Sequence, residues 1–275
     1  MSVESGALSG PLSGLLAGLR VIDLSRVLGG PYCTQILADH GADVIKVEPP
    51  AGDEVRDWGP PFHEEDAAYF VGINRNKRSI GLDLASEGGR AVLMKMLETA
   101  DVLIENFKPG TLDKWGIGND VLREKFPRLV HCRISGFGAD GPRGGNPGYD
   151  AIIQAMTGMI AATGSPESGP MRIGVPLVDI TTGLYAAIGI LIALLEREGS
   201  GEGQWVHTSL LEAQIAMMDF QATRWLIDGE RPGQAGNNHP TSIPTGVFKT
   251  SDGYINIATT GGRIWERCAQ AIGAP

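Results

Sequence analysis

Cysteine is scarce in this chain, three in 275 residues. Cys33, Cys132 and Cys268 lie far apart, without CxxC or Cys/His ligand spacing, which argues against a disulfide framework and a zinc site and fits a reducing, cytoplasmic compartment. Cations are short as well. The 23 Lys and Arg against 32 Asp and Glu leave a net charge of −9, so no broad basic field exists for nucleic acid, and phosphate groups must be met by a local cluster. No apolar run reaches the roughly 20 residues of a membrane span. The longest, residues 180–195, is interrupted by Thr181, Thr182, Gly183 and Gly189, and reads as a buried core helix with no membrane partner. Residues 1–16 lack the basic start and apolar centre of a signal peptide and read as a flexible leader. GxSxG, P-loop and HExxH strings are all missing, which weakens serine-hydrolase, ATPase and zinc-protease readings. The five histidines are scattered, and no metal site is expected.

What is present reads as a soluble globular protein, with 42% hydrophobic and 20% charged residues. Residues 19–25 (LRVIDLS) form a strand pattern running through Gly29, Gly30 and Pro31 into a helical pattern over 32–40, where proline near the helix start leaves no amide unpaired. Strand patterns at 42–47, 79–84, 101–105 and 128–135 alternate with helical ones at 87–99 and 120–126. Such alternation implies a parallel sheet covered on both faces, a doubly wound α/β domain. Helical stretches follow at 149–162, 179–197 and 210–228. A Gly/Asn/Pro-rich linker covers 229–244. Strands at 246–250 and 254–258 flank a Ser-Asp-Gly turn, and a helix over 262–272 ends the chain. The expected organisation is a large domain over 17–228 and the start of a smaller α+β domain over 245–275.

Three features carry chemistry. Gly29, Gly30 and Pro31 join a strand to a helix start, where free amides favour an anion, although a tight turn needs the same residues. Residues 136–141 match GxGxxG, but Pro142, Gly144, Gly145 and Pro147 forbid the helix that a dinucleotide fingerprint requires. Residues 74–78 (NRNKR) place Arg75, Lys77 and Arg78 beside a strand start. The run is either a solvated charge run or a phosphate contact at the ligand edge of an open sheet. Asp179 stands between Pro176 and a very apolar helix. It suits an N-cap, the commonest fate of an aspartate at such a boundary, and the same position also suits a nucleophile kept ionised by the helix dipole and shielded from water.

Several strings resemble the class III CoA-transferases, the family that includes formyl-CoA transferase, carnitine CoA-transferase and α-methylacyl-CoA racemase. They are GLRVIDLSRVLGGPYCTQILADHGADVIKVEPP, NRNKRSIGLDL, ADVLIENFKPGTLDKWGIG, GYDAIIQAMTG, GVPLVDITTGLYAAIGILIALLERE and GEGQWVHTSLLEA, in the family's order from Gly18 to Ala213. WGPPF and NRNKRS are most similar to members acting on small dicarboxylates, such as succinyl-CoA:glutarate CoA-transferases.

The resemblance implies a Rossmann-like large domain, a smaller domain and an interlocked homodimer. It also implies acyl-CoA and carboxylic-acid substrates, with CoA as substrate in place of a resident cofactor. It places the catalytic aspartate at Asp179. CoA contacts fall at Leu28, Gly29, Leu82, Asn106, Phe107, Lys108, Lys114, Tyr149 and Asp150, and the run adds Arg75, Lys77 and Arg78 as phosphate partners. Two departures matter. Racemases carry histidine where this chain has Tyr149, and formyl-CoA transferase carries glutamine at Leu28, which disfavours epimerisation and formate or oxalate respectively. Racemisation and a CoA-binding remnant without catalysis stand as alternatives. Family members are longer, their C-terminal part returning to the large domain, so a chain ending at Pro275 is expected to leave apolar surface uncovered.

Overall fold

A computed structural model describes residues 14–274. The leader expected over residues 1–16 falls, up to residue 13, outside the described residues. Six strands form one parallel sheet: β1 (Arg20–Asp23), β2 (Asp43–Glu48), β3 (Arg78–Gly81), β4 (Val102–Glu105), β5 (Val130–Ser135) and β6 (Trp205–Ser209). Their spatial order is β6-β5-β4-β1-β2-β3, the order of doubly wound nucleotide-binding sheets. Registry is fixed by side-chain alternation. Val21 pairs with Val44 and Val102, Ile22 with Ile45 and Leu103, so alternate residues of each strand enter opposite cores.

One core collects Val21, Val44, Val102, Ile104, Val130 and Ile134 under Cys33, Leu37 and Ala38 of helix α1 (Gly29–Asp39) and Ala186, Ala187, Ile190 and Ala193 of the long helix Leu177–Ser200. The other gathers Ile22, Val47 and Leu103 under Leu93 and Leu97 of the helix Glu87–Leu97 and Leu122 of the helix Asn119–Lys125. Each fully buried aliphatic side chain contributes about 1.5–3 kcal/mol, and having a core on both faces explains why the strands read as near-continuous apolar runs. The fold is α/β, with a Rossmann-like parallel sheet.

The described residues divide into two compact units. One runs up to Asp150 and adds Leu177–Gln214; the other is Ala151–Pro176 with the residues from Ile215 onward. The division differs from a large domain running to residue 228. Both expected helical stretches at the boundary are broken, at Gly158 with φ +86° and at Asp219 with φ +45°, and their residues from Ala151 and from Ile215 onward group with the C-terminal hairpin Thr245–Lys249/Tyr254–Ala258 and the helix Gly262–Ile272. Strand β6 and the helix Ala68–Asn74 were not anticipated. The former is a short edge strand behind a Gly-Glu-Gly turn, pairing only with β5, and the latter is seven residues whose only buried side chain is Phe70.

The helix Leu177–Ser200 has 24 residues and, unlike the interrupted run 180–195 read alone, is by length and composition long and apolar enough to cross a membrane. Half of its most apolar window is buried inside the fold, as in a core helix. One face lies in the first core. The opposite face exposes Leu184, Tyr185, Ile188, Leu191, Ile192 and Leu195, at the spacing of a second apolar stripe.

Candidate active site

The carboxyl ends of the parallel strands form the edge where open α/β sheets take ligands, at the point where the chain reverses its winding direction. That point lies between β1 and β4. The segment after β1 reaches α1 through Val27, held at φ +69°, a left-handed conformation that a β-branched residue adopts only under strain. The segment after β4 begins with Asn106, whose Nδ2 donates to the Arg26 carbonyl at 2.7 Å while its Oδ1 accepts from the Arg26 amide at 3.0 Å. Asn106 thus ties the two segments together across the reversal. Leu28 precedes α1 and is buried, and Gly29 opens it. Half-buried Leu82 follows β3, while Phe107 stacks edge-to-face on Trp115 at 5.4 Å. Lys108 and Lys114 are exposed on the same segment.

Asp179 is brought to this edge by the long helix. A Cβ on Gly29 would lie 3.3 Å from the Asp179 carbonyl oxygen and 3.7 Å from its Oδ1, so Gly29 packs closely beside Asp179. The helices cross more tightly still one turn on, where a Cβ on Gly183 would stand 2.6 Å from the Gly29 carbonyl oxygen, too close for any residue but glycine. Gly183→Ala should therefore push α1 away from the long helix. We expect a loss of about 1–3 kcal/mol in a denaturant melt together with a fall in turnover, since the same shift displaces Asp179.

Both sequence readings of Asp179 need correction in detail. It is the third residue of the helix, not its cap. The cap is Asp150, whose Oδ2 accepts from the Val178 amide at 2.9 Å and from the Asp179 amide at 3.4 Å. Nor does the helix dipole keep Asp179 ionised. Burial, and then the neighbouring Asp150 charge, push its pKa up to about 7, because desolvation outweighs the favourable dipole at this site. Tyr69, on the helix Ala68–Asn74, faces the same group. Burial, then Asp179, Asp150 and Asp53, push its hydroxyl up to about 12. Sequence reasoning missed Tyr69, and the only available signal was an aromatic just ahead of the 74–78 run.

The cation run is largely consumed by structure. Lys77 is buried, and its Nζ donates to Asp23 Oδ2 at 3.1 Å, the Pro31 carbonyl at 2.8 Å and Asn74 Oδ1 at 2.9 Å. All three ammonium hydrogens are used, so Lys77 is not available as a phosphate partner. Arg75 pairs with Asp39, and Arg78 grips Asp43 with two bonds of 2.7 Å. Acidic partners on β1, α1 and β2 that lay far away in sequence account for the pattern. The structure therefore gathers Leu28, Gly29, Asn106, Phe107, Lys108, Asp150 and Asp179 at the sheet's carboxyl edge and turns Lys77 inward. Tyr149 is 68% exposed beside Asp150. A cavity of about 340 Å³ lined by Arg123, His131, Glu196 and Trp205 lies at the amino ends of β5 and β6, the opposite edge, and holds none of these residues.

Comparison with known proteins bears on the same residues. Residues 16–275 match the profile of CoA-transferase family III. The chain is 44% identical over 265 residues to a succinate–glutarate CoA-transferase of Agrobacterium fabrum, covering 94% of this chain and 66% of that protein. It is 41% identical over 271 residues to a succinyl-CoA:mesaconate CoA-transferase of Haloarcula hispanica, covering 95% of this chain and 68% of that one. A crystal structure of a CAIB/BAIF family protein from Brucella suis superposes with a TM-score of 0.86 at 43% identity, over 94% of this chain and 70% of that chain. The chain thus spans about two thirds of the length of these relatives.

Proposed function

Because the chain belongs to CoA-transferase family III, we propose that it transfers CoA from an acyl-CoA thioester to a small dicarboxylate, with Asp179 as the nucleophile. The observation that carries this reading is the setting of Asp179, a half-buried carboxyl group wedged against Gly29 at the ligand edge of the sheet. Its oxygen attacks the thioester carbonyl carbon, the C–S bond breaks, and a mixed anhydride and CoA thiolate result. The thiolate attacks the Asp179 carbonyl, releasing the donor's carboxylate and leaving an aspartyl-CoA thioester. An acceptor carboxylate displaces the thiolate to form a second anhydride, and the thiolate takes the acceptor's acyl group, regenerating Asp179. The gain is one difficult exchange divided into easier steps, without external oxidant or base.

CoA enters as a substrate. Leu28, Gly29, Leu82, Asn106 and Phe107 would receive it, with exposed Lys108 and Lys114 as the phosphate partners that the 74–78 run does not supply. The dicarboxylate assignment draws support from relatives named for glutarate and mesaconate. Tyr149, where the resemblance puts a racemase base, favours transfer over epimerisation. A homodimer is part of the reading, since the open stripe from Leu184 to Leu195 is apolar surface of the kind that a second subunit covers. The reading also places the enzyme in the cytoplasm.

Activity should depend on pH in a defined direction. The nucleophile must be ionised, so kcat/KM should rise with pH along a limb centred near 7. Turnover with succinyl-CoA and a panel of mono- and dicarboxylates, followed by mass spectrometry across pH 5.5–9 as roughly spanning that limb, tests both points. Activity with dicarboxylates and a limb near 7 are expected. No acceptor among them, or a limb near the ordinary aspartate range, would contradict the reading.

A further inference from the structure

Asp150 was expected to contact CoA, but its geometry gives it another role. Strand β5 ends at Ser135, and the chain makes a Gly- and Pro-rich excursion before returning at Gly148. The two ends of the excursion touch: a Cβ on Gly136 would lie 2.3 Å from the Gly148 amide nitrogen, and a Cβ on Gly148 would lie 2.7 Å from the Gly136 Cα. This backbone pinch, which only glycine permits, delivers Asp150 to the start of the long helix. There the carboxylate accepts from the amides of Val178 and of Asp179 itself.

Resting on the reading of Asp179 as nucleophile, we propose that Asp150 is its positioning residue, fixing the first turn of the helix and holding a like charge beside the reacting carboxyl group. Two consequences follow. The capped turn holds the Asp179 backbone rigid against Gly29, so the side chain starts from a fixed point. The adjacent charge, acting with burial, keeps Asp179 a stronger base and hence a better nucleophile than an ordinary aspartate. The titratable groups facing Asp179 are Asp150 and, from the helix Ala68–Asn74, Tyr69; α1 presents the Gly29 backbone.

The test reads Asp179 directly, without requiring turnover. In protein labelled with carbon-13 at the aspartate carboxyl groups, the Asp179 signal is assigned by its loss in Asp179→Asn and titrated in wild type, Asp150→Asn and Asp150→Ser. Both variants keep an oxygen that can cap the helix, and either folded one suffices. The expected result is a midpoint near 7 in wild type that drops by roughly one unit in the variants, with kcat about tenfold lower and CoA affinity within about twofold of wild type. An unmoved midpoint would overturn the proposal, as would a tenfold or greater loss of CoA affinity with kcat unchanged, which would mark Asp150 as a direct CoA contact. Failure of the wild type to transfer CoA would instead sink the transferase reading, and the titration would still decide whether Asp150 acts on Asp179.

Discussion

Asp179→Asn should lower CoA transfer by about four orders of magnitude or more, the scale on which enzymes lose rate with their covalent nucleophile, while CoA affinity stays near wild type. The asparagine keeps the shape beside Gly29 and the amide that donates to Asp150, so a loss of rate cannot be put down to a lost fold. The same variant should be more stable than wild type at neutral pH. In the unfolded chain this aspartate ionises near 3.8, in the folded chain near 7. Between those values the native state holds the extra proton, so this group's contribution to stability is greatest below about pH 4, declines as pH rises, and is lowest above about 7. After allowance for partial exposure, removing the charge should gain about 1–3 kcal/mol above pH 7. A variant that is inactive yet melts higher would mark Asp179 as a residue kept for chemistry at the expense of stability. Wild-type turnover in Asp179→Asn would remove the mechanism.

The second large effect concerns Lys77→Met. Asp23 is fully buried. Burial works to raise its pKa, but Lys77, Lys46 and the hydroxyls of Ser25 and Thr34 together outweigh it and hold the carboxyl group below its usual range. Methionine keeps the apolar stem but leaves Asp23 without its closest cation and strands the Pro31 carbonyl and Asn74 amide oxygen. Breaking a buried pair from one side costs about 3–5 kcal/mol, which for a chain of this size lowers Tm by roughly 10 °C. Adding Asp23→Asn should recover part of the loss, because the two changes share one partner. If Lys77 were a phosphate contact, the melt would be unchanged and CoA affinity alone would fall, contrary to the geometry.

Lys77 also shows where the sequence stops being legible. The alternation of strands and helices in the first half follows from side-chain periodicity, and β1 to β5 appear within a few residues of where the pattern puts them. Position between a proline and an apolar helix marks Asp179 as a cap before it marks it as a nucleophile, and it is the resemblance of the LVDITTG string that singles it out. What periodicity cannot convey is distance across the fold. Asp23, Asp39 and Asp43 lie 54, 36 and 35 positions from the cations they bind, so a local charge run looks free in sequence and is consumed in space. The cap of the long helix comes from Asp150, 28 positions before the first amide it accepts, and the proton affinity of Asp179 depends on burial that only packing creates. The helix breaks at Gly158 and Asp219 are single-residue φ changes, invisible to a pattern that stays apolar on both sides.

The most direct test of Asp179 as the carrier of CoA is to incubate the protein with succinyl-CoA in the absence of acceptor and map the adduct by peptide mass spectrometry. The expected result is a CoA-sized mass on the peptide containing Asp179, removed by hydroxylamine, absent from Asp179→Asn and discharged by a dicarboxylate. Turnover without that adduct, or a CoA adduct on any other residue, would contradict it.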